Sequence, residues 1–272
     1  MNEKLIIKEI ENRVFQPVYF LHGEEPYFID LISDALIKSV LPDHEKGFNQ
    51  SILYGKNTDL MVLLNEIKSF PMGSEKRLVV LKEAQDFKKI EELCSYFTNP
   101  NPTTIFVICF KYKKYDSRKK SLKLIAKNGF VFLSEKVKEY QLNEWIERYV
   151  SSQGYVLNSK ATMLLNEFLG NDLGRIVKEI EKLGVIYAKG TQITEKHIEE
   201  NIGLSKDYNL FELTNAVAAQ DISKAYRIIH YFERNPKAVH LTQVTSSLFT
   251  FFSNVLKIHF LKFTAREAIA KE

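Results

Sequence analysis

The sequence predicts an α/β domain followed by an all-α region, and three observations carry that reading. Short apolar runs built of strand formers recur through residues 18–133, separated by apolar patterns at helical spacing. One of them, TTIFVICF at 103–110, is an unbroken β-branched and aromatic segment, as a parallel strand covered on both faces requires. From about Tyr140 onward the strand signals stop and every apolar pattern repeats at the period of a helix.

Taken in order, residues 3–13 form a charged amphipathic helix that leads into a strand, Val18-Tyr19-Phe20-Leu21. His22-Gly23-Glu24-Glu25-Pro26 breaks that strand. Phe28, Leu31, Ile32, Ala35 and Leu36 then mark a helix over 26–41, with Pro26 suited to its first turn. Pro42-Asp43 stops it, and residues 48–54 read as a second, edge-like strand. A helix over 58–67 is set by Leu60, Met61, Leu63, Leu64 and Ile67. A strand over 77–81, a helix over 90–97 and the 103–110 strand follow. Asp116 is expected to cap a basic helix running to Lys127, Gly129 to end it, and residues 130–133 to close the pattern. Strands alternating with helices imply a mostly parallel sheet with both faces covered.

The remainder reads as helices over 142–150, 159–169, 173–187 and 194–202, joined at Gly154, Gly170 and Gly190. Three more follow over 210–219, 222–234 and 238–263. The last is apolar on too many sides for a surface helix. The expected domains are 1–138, 139–205 and 206–272.

The chain has 272 residues, 45% hydrophobic and 26% charged, enough to bury sizeable cores. A net charge of +4 permits contact with nucleic acid without requiring it. Cys94 and Cys109 lack metal-ligand spacing and read as small hydrophobes in a reducing compartment. The amphipathic start argues against a signal peptide, and Lys257, His259 and Lys262 interrupt the longest apolar run near the end. A cytoplasmic protein without a membrane span is expected.

A strand, a tight Gly turn and a helix N-terminus is where a nucleotide-binding α/β domain places its phosphate loop. Such a loop needs bare backbone N–H groups and a Lys. The turn here carries Glu24 and Glu25 instead, which suit the helix dipole and would repel a triphosphate. After the 77–81 strand, Lys82-Glu83-Ala84 stands where an active ATPase would present Asp-Glu for Mg²⁺. No catalytic triad or His/Cys metal cluster stands out, and His22 reads as a hydrogen-bonded turn residue. No catalytic, nucleotide-binding or metal residue is therefore assigned, and no cofactor is expected.

Four stretches, LHGEEPYFID at 21–30, FPMGSEKRLVVL at 70–81, YDSRKKSLKLIAKNG at 115–129 and GNDLGRIVKEIEKL at 170–183, resemble the delta subunit of the bacterial DNA polymerase III clamp loader. NLFELTNAVAAQD at 209–221 and YFERNPKAVHL at 231–241 add to the resemblance, which extends over essentially the whole chain. It implies a RecA/AAA+-like domain, a helical lid and the N-terminal part of a helical collar. The family's collar has several more helices, so the collar of this chain is expected to be incomplete. The helix over 238–263, which packs within the collar in that family, is thereby implied to be partly exposed, poorly ordered or paired with another copy. It also implies an ATPase-inactive, clamp-opening subunit within the DNA polymerase III holoenzyme. The implied partners are the sliding clamp (the beta subunit), the ATP-binding loader subunits with the delta-prime subunit, and primed DNA. The alternatives are an ATPase with a degenerate phosphate loop and a DNA-binding adaptor.

In that family the loop at Phe70-Pro71-Met72 inserts apolar side chains into a pocket on the clamp, and the helix before it, with Leu60, Leu64 and Ile67, supplies flanking contacts. From the residues alone, the alternative is that Phe70 and Met72 tuck into the local core. The basic run holding Lys111, Lys113, Lys114, Arg118, Lys119, Lys120, Lys123 and Lys127 is either a solvated helix face or a contact for DNA phosphates or a neighbouring subunit. Arg175 stands where related ATPases hold a nucleotide-sensing arginine. With no phosphate loop in its own chain it reads as structural or interfacial, behind an Asp172 N-cap.

Overall fold

The computed structural model describes residues 3–202, 209–235 and 239–260. The chain divides into two compact units, Met1–Val137 and Lys138–Glu272.

The first unit runs α1 (Glu3–Glu11), β1 (Val18–Gly23), α2 (Pro26–Ser39), α3 (Asp43–Asn49), β2 (Gln50–Tyr54), α4 (Leu60–Lys68) and β3 (Arg77–Lys82). Two short 3₁₀ turns, Ala84–Asp86 and Ile90–Leu93, lead to α5 (Cys94–Thr98), β4 (Thr104–Phe110), α6 (Lys120–Asn128) and β5 (Phe130–Ser134). The five strands form one parallel sheet in the order β2-β3-β4-β1-β5.

Alternation along each strand divides the core in two. Val18, Phe20, Val79, Leu81, Phe106 and Ile108 face α4, α5 and α6, where Leu63, Ile67, Phe97 and Ile125 are buried. Tyr19, Leu21, Leu78, Val80, Ile105, Val107 and Cys109 face α1 and α2, against Ile6, Ile10, Ile29, Ile32 and Leu36. The helices cover both faces, and the fully buried β4 explains its unbroken apolar run.

Four local expectations are corrected. Phe48 lies on α3, not on a strand: Pro42 opens that helix, and Asp43 and Glu45 in its first turn suit the dipole. The 90–97 segment is a 3₁₀ turn running into a five-residue helix rather than one helix. Asp116 does not cap α6. Its carboxylate accepts from Arg118 N (3.0 Å) and its carbonyl from Lys119 N (3.1 Å), closing a turn, and the helix starts at Lys120. Strand pairing does not stop at Tyr140, as the second unit shows.

That unit holds α7 (Glu139–Ser152), β6 (Val156–Leu157), α8 (Ser159–Leu169), α9 (Leu173–Ile186), β7 (Gln192–Ile193) and α10 (Glu195–Ile202). β6 and β7 form a two-residue parallel pair, too short to leave a period-two signal in the sequence. Leu142, Ile146, Leu165, Leu173, Ile176 and Ile180 are buried among these helices. Then follow α11 (Leu210–Ala218), α12 (Ile222–Arg234) and α13 (Leu241–Phe260). Leu213, Ile228 and Phe232 centre a separate cluster, on which Val244 and Leu248 pack partway. No described residue of α13 is fully buried, and Phe249, Phe252, Leu256 and Phe260 are exposed. Its last expected residues, 261–263, and Ala238 lie outside the described residues.

Candidate functional site

Two places in the first unit bear on function: the turn after β1 and the loop before β3, which lie at opposite ends of the sheet strands.

The turn after β1 is closed by the protein itself. Glu24 N and Glu25 N, which a phosphate loop would present to a ligand, both donate to Ser134 O (2.9 and 3.4 Å), and Ser134 Oγ donates back to Glu25 O (2.6 Å). Gly23 is required here, because at φ 143° a Cβ would stand 1.9 Å from Ser134 O. The segment after β4 lies across the same turn. Gly23 bridges to Lys113, and Tyr115 N donates to His22 Nδ1 (3.0 Å). The Tyr115 ring packs on Phe20 and Phe110, with centroids 5.0 and 5.1 Å away. Its hydroxyl meets Glu91 and Ser121. Burial, reinforced by the Lys114 charge, lowers the His22 pKa to about 4. The imidazole is therefore a neutral acceptor in a turn.

Below the turn, charge is neutralised internally. Lys111, buried at the end of β4, places Nζ 2.7 Å from Asp30 Oδ1 on α2 and 3.3 Å from Glu83 Oε1 after β3. Burial alone would lower the Lys111 pKa, and the hydrogen bond to Asp30 and the charges of Asp30 and Glu83 more than reverse this. Lys111 thus leaves the basic surface run and becomes an internal ion pair.

The loop before β3 is built the other way. Phe70 is 77% exposed and Met72 69%, with the half-buried Pro71 between them. The backbone beneath is held on both sides. Met72 N donates to Asn49 Oδ1 (2.7 Å), and Asn49 Nδ2 donates to Met72 O (3.0 Å). Asn101 Nδ2 reaches Lys68 O (3.4 Å), and Lys76 Nζ reaches Pro102 O (2.9 Å). Gly73, at φ 63°, makes the bend with open space where a side chain would stand. Beside the loop, Arg77 joins α3, β2 and α4 through Phe48 O, Ser51 Oγ and Glu66. Burial raises the Glu66 pKa, but bonds from Ser51 and Arg77 outweigh it and hold the carboxylate below its ordinary range.

The flanking helix contributes differently from expectation. Ile67 is fully buried in the core beneath the loop, because Leu63 and Ile67, one turn apart, form the inner face of α4. A surface contact from Ile67 is thereby excluded. Leu60 and Leu64 pack against the same core and are partly buried. The apolar side chains that α4 shows to solvent are Met61 and Val62, and Phe48 on α3 adds another at 71% exposure. Phe48 was obscured by its placement in a strand, where alternation would have turned it inward or outward by register alone.

The remaining basic residues are exposed: Lys113, Lys114, Arg118, Lys119 and Lys120, with Lys120, Lys123 and Lys127 along one face of α6. Lys113 Nζ lies 5.4 Å from the Phe110 ring centroid, Lys114 pairs with Glu135 (2.8 Å) and Arg118 with Asp116 (2.8 Å). Arg175, in the second unit, is exposed, and its N–H donates to Asp172 Oδ1 (3.0 Å) at the N-terminus of α9.

Comparison with known proteins bears on this arrangement. Residues 19–135 match the family model described as DNA polymerase III, delta subunit. The chain is 24% identical over 253 residues to the Bacillus subtilis DNA polymerase III subunit delta, covering 89% of this chain and 73% of that protein. It is 22% identical over 225 residues to the probable DNA polymerase III subunit delta of Aquifex aeolicus, covering 78% of this chain and 62% of that protein. Among solved structures, a Bacillus subtilis DNA clamp loader delta protein superposes with a TM-score of 0.67 at 22% identity, over 99% of this chain and 83% of that one.

Proposed function

We propose that this chain, whose α/β domain is of the DNA polymerase III delta-subunit family, binds and opens a sliding clamp through Phe70, Pro71 and Met72. The subunit itself then needs no catalytic residue, and ATP is bound and hydrolysed by partner loader subunits. The observation that carries this reading is the loop: two large apolar side chains held in solvent on a backbone fixed by Asn49 and Asn101. Water-exposed Phe and Met on a rigid mount are poor for solubility and well suited to anchoring in a partner's apolar pocket. The closed turn after β1 supports the division of labour, since its N–H groups serve Ser134 and Lys111 beneath it serves Asp30.

Burying Phe70 and Met72 is worth roughly 1.5–3 kcal/mol each. Losing both would weaken clamp binding by about two to four decades, at about 1.4 kcal/mol per decade. The test is a binding titration of purified sliding clamp against Phe70→Ala/Met72→Ala, with thermal melting alongside. Clamp affinity should fall at least about tenfold with little change in melting temperature, since neither side chain is in the core. Unchanged affinity would refute the reading.

A second reading concerns the basic face of α6 with Lys113, Lys114, Arg118, Lys119 and Lys120. Its exposed lysines at helical spacing favour contact with DNA phosphates when the chain sits in an assembled loader.

A further inference from the structure

The apolar loop is held by a residue that touches no solvent. Asn49, the last residue of α3, is 1% exposed, and its side-chain amide is bonded wholly to the backbone of Met72: Oδ1 accepts from Met72 N (2.7 Å) and Nδ2 donates to Met72 O (3.0 Å). The two bonds span 23 residues of sequence and act as a two-point clasp on the Met72 backbone, one on the peptide unit before its Cα and one on the unit after it. No other described side chain bonds to the backbone of residues 70–73 among the hydrogen bonds of this structure. The loop's own residues cannot supply this order: Gly73 is conformationally permissive, and neither Phe70 nor Met72 is seated in the core.

We infer that Asn49 is a positioning residue for clamp engagement, presetting Phe70 and Met72 in the arrangement that binds. This rests on the clamp-binding reading. Without the clasp the loop keeps its apolar side chains but samples other arrangements. Apparent affinity then falls by the fraction of time the binding arrangement is populated, so a loop that is competent one-tenth of the time binds about tenfold more weakly. The ordering that Asn49 provides in advance would have to be supplied at binding.

The test combines amide exchange with a double-mutant cycle in the full chain. In Asn49→Ala the Met72 amide, protected by Asn49 Oδ1, should exchange at least about tenfold faster while β3 and β4 amides stay protected. Clamp affinity should fall about tenfold. In the Phe70→Ala/Met72→Ala background the same Asn49 change should alter clamp affinity less than about twofold, because a positioning residue acts only through what it positions. An equal loss in both backgrounds, or a wild-type affinity with a deprotected Met72 amide, overturns the inference. Should Asn49→Ala melt early, Asn49→Asp takes its place, since it preserves volume and the acceptor for Met72 N while losing the donor to Met72 O. If Phe70→Ala/Met72→Ala binds clamp as tightly as wild type, the clamp reading falls. Asn49's hold on the loop is then judged by the Met72 amide alone, an unchanged rate refuting it.

Discussion

Lys111 Nζ lies 2.7 Å from Asp30 Oδ1, tying the end of β4 to the helix that follows the β1 turn. With Glu83 Oε1 at 3.3 Å, one buried cation joins three separate connections of the sheet. This is a structural use of a place that a nucleotide-binding domain reserves for ligand charge.

Replacing Lys111 by Met should therefore lower stability by about 1–3 kcal/mol, the loss of charged hydrogen bonds partly offset by burial of the thioether chain. Asp30 and Glu83 keep some solvent access, which limits the penalty of leaving them unpaired. Urea unfolding followed by circular dichroism measures this, and an unchanged midpoint would assign the triad no energetic role.

His22 should make the fold sensitive to mild acid. The folded chain protonates this imidazole only below about pH 4, against an ordinary value of 6.5. Between those values the unfolded state holds more protons, so stability rises with pH through the window and levels off above it. A pH series of melting temperatures checks this, with His22→Gln expected to flatten the slope. NMR titration of the His22 ring with a midpoint near its ordinary value would contradict it.

Mg²⁺-ATP should produce no binding heat with the isolated chain. The backbone donors of the β1 turn already serve Ser134 and the lysine beneath serves two carboxylates. Calorimetric binding in the micromolar range would show that this closure opens for a nucleotide.

On the basic face, Lys119→Ala with Lys120→Ala should reduce the salt dependence of duplex binding by the assembled loader. Each phosphate contact contributes about 0.9 to the log–log slope, so two lost contacts lower it by about 1.8. An unchanged slope would return this face to solvent.

Much of the architecture was legible because each strand and helix carried its own local pattern. The 103–110 run announced a strand covered on both faces, and β4 has no exposed residue. What stayed hidden depends on residues far apart in sequence. Lys111 looked like one member of a basic run, and only the fold brings it to Asp30, 81 residues away. Asn49 and Met72 are likewise joined by the sheet rather than by any spacing. Ile67 and Met61 both fit a helical apolar pattern, which marks a stripe without saying which members lie at its centre. The absence of a phosphate-binding lysine was plain, but the Ser134 carbonyl that occupies the turn's donors carries no side-chain signature.

The loop's attachment to the sheet has a mechanical consequence. It runs from the last turn of α4 straight into Arg77, the first residue of β3, and β3 lies between β2 and β4 in a parallel ladder. A load applied at Phe70 or Met72 and carried along β3 would pull its ladder bonds in shear, many sharing the strain together, instead of peeling them one after another. Such a mount yields little under tension. The proposed clamp-opening role would call for that stiffness, because a compliant tip would recoil before the partner's seam gave way.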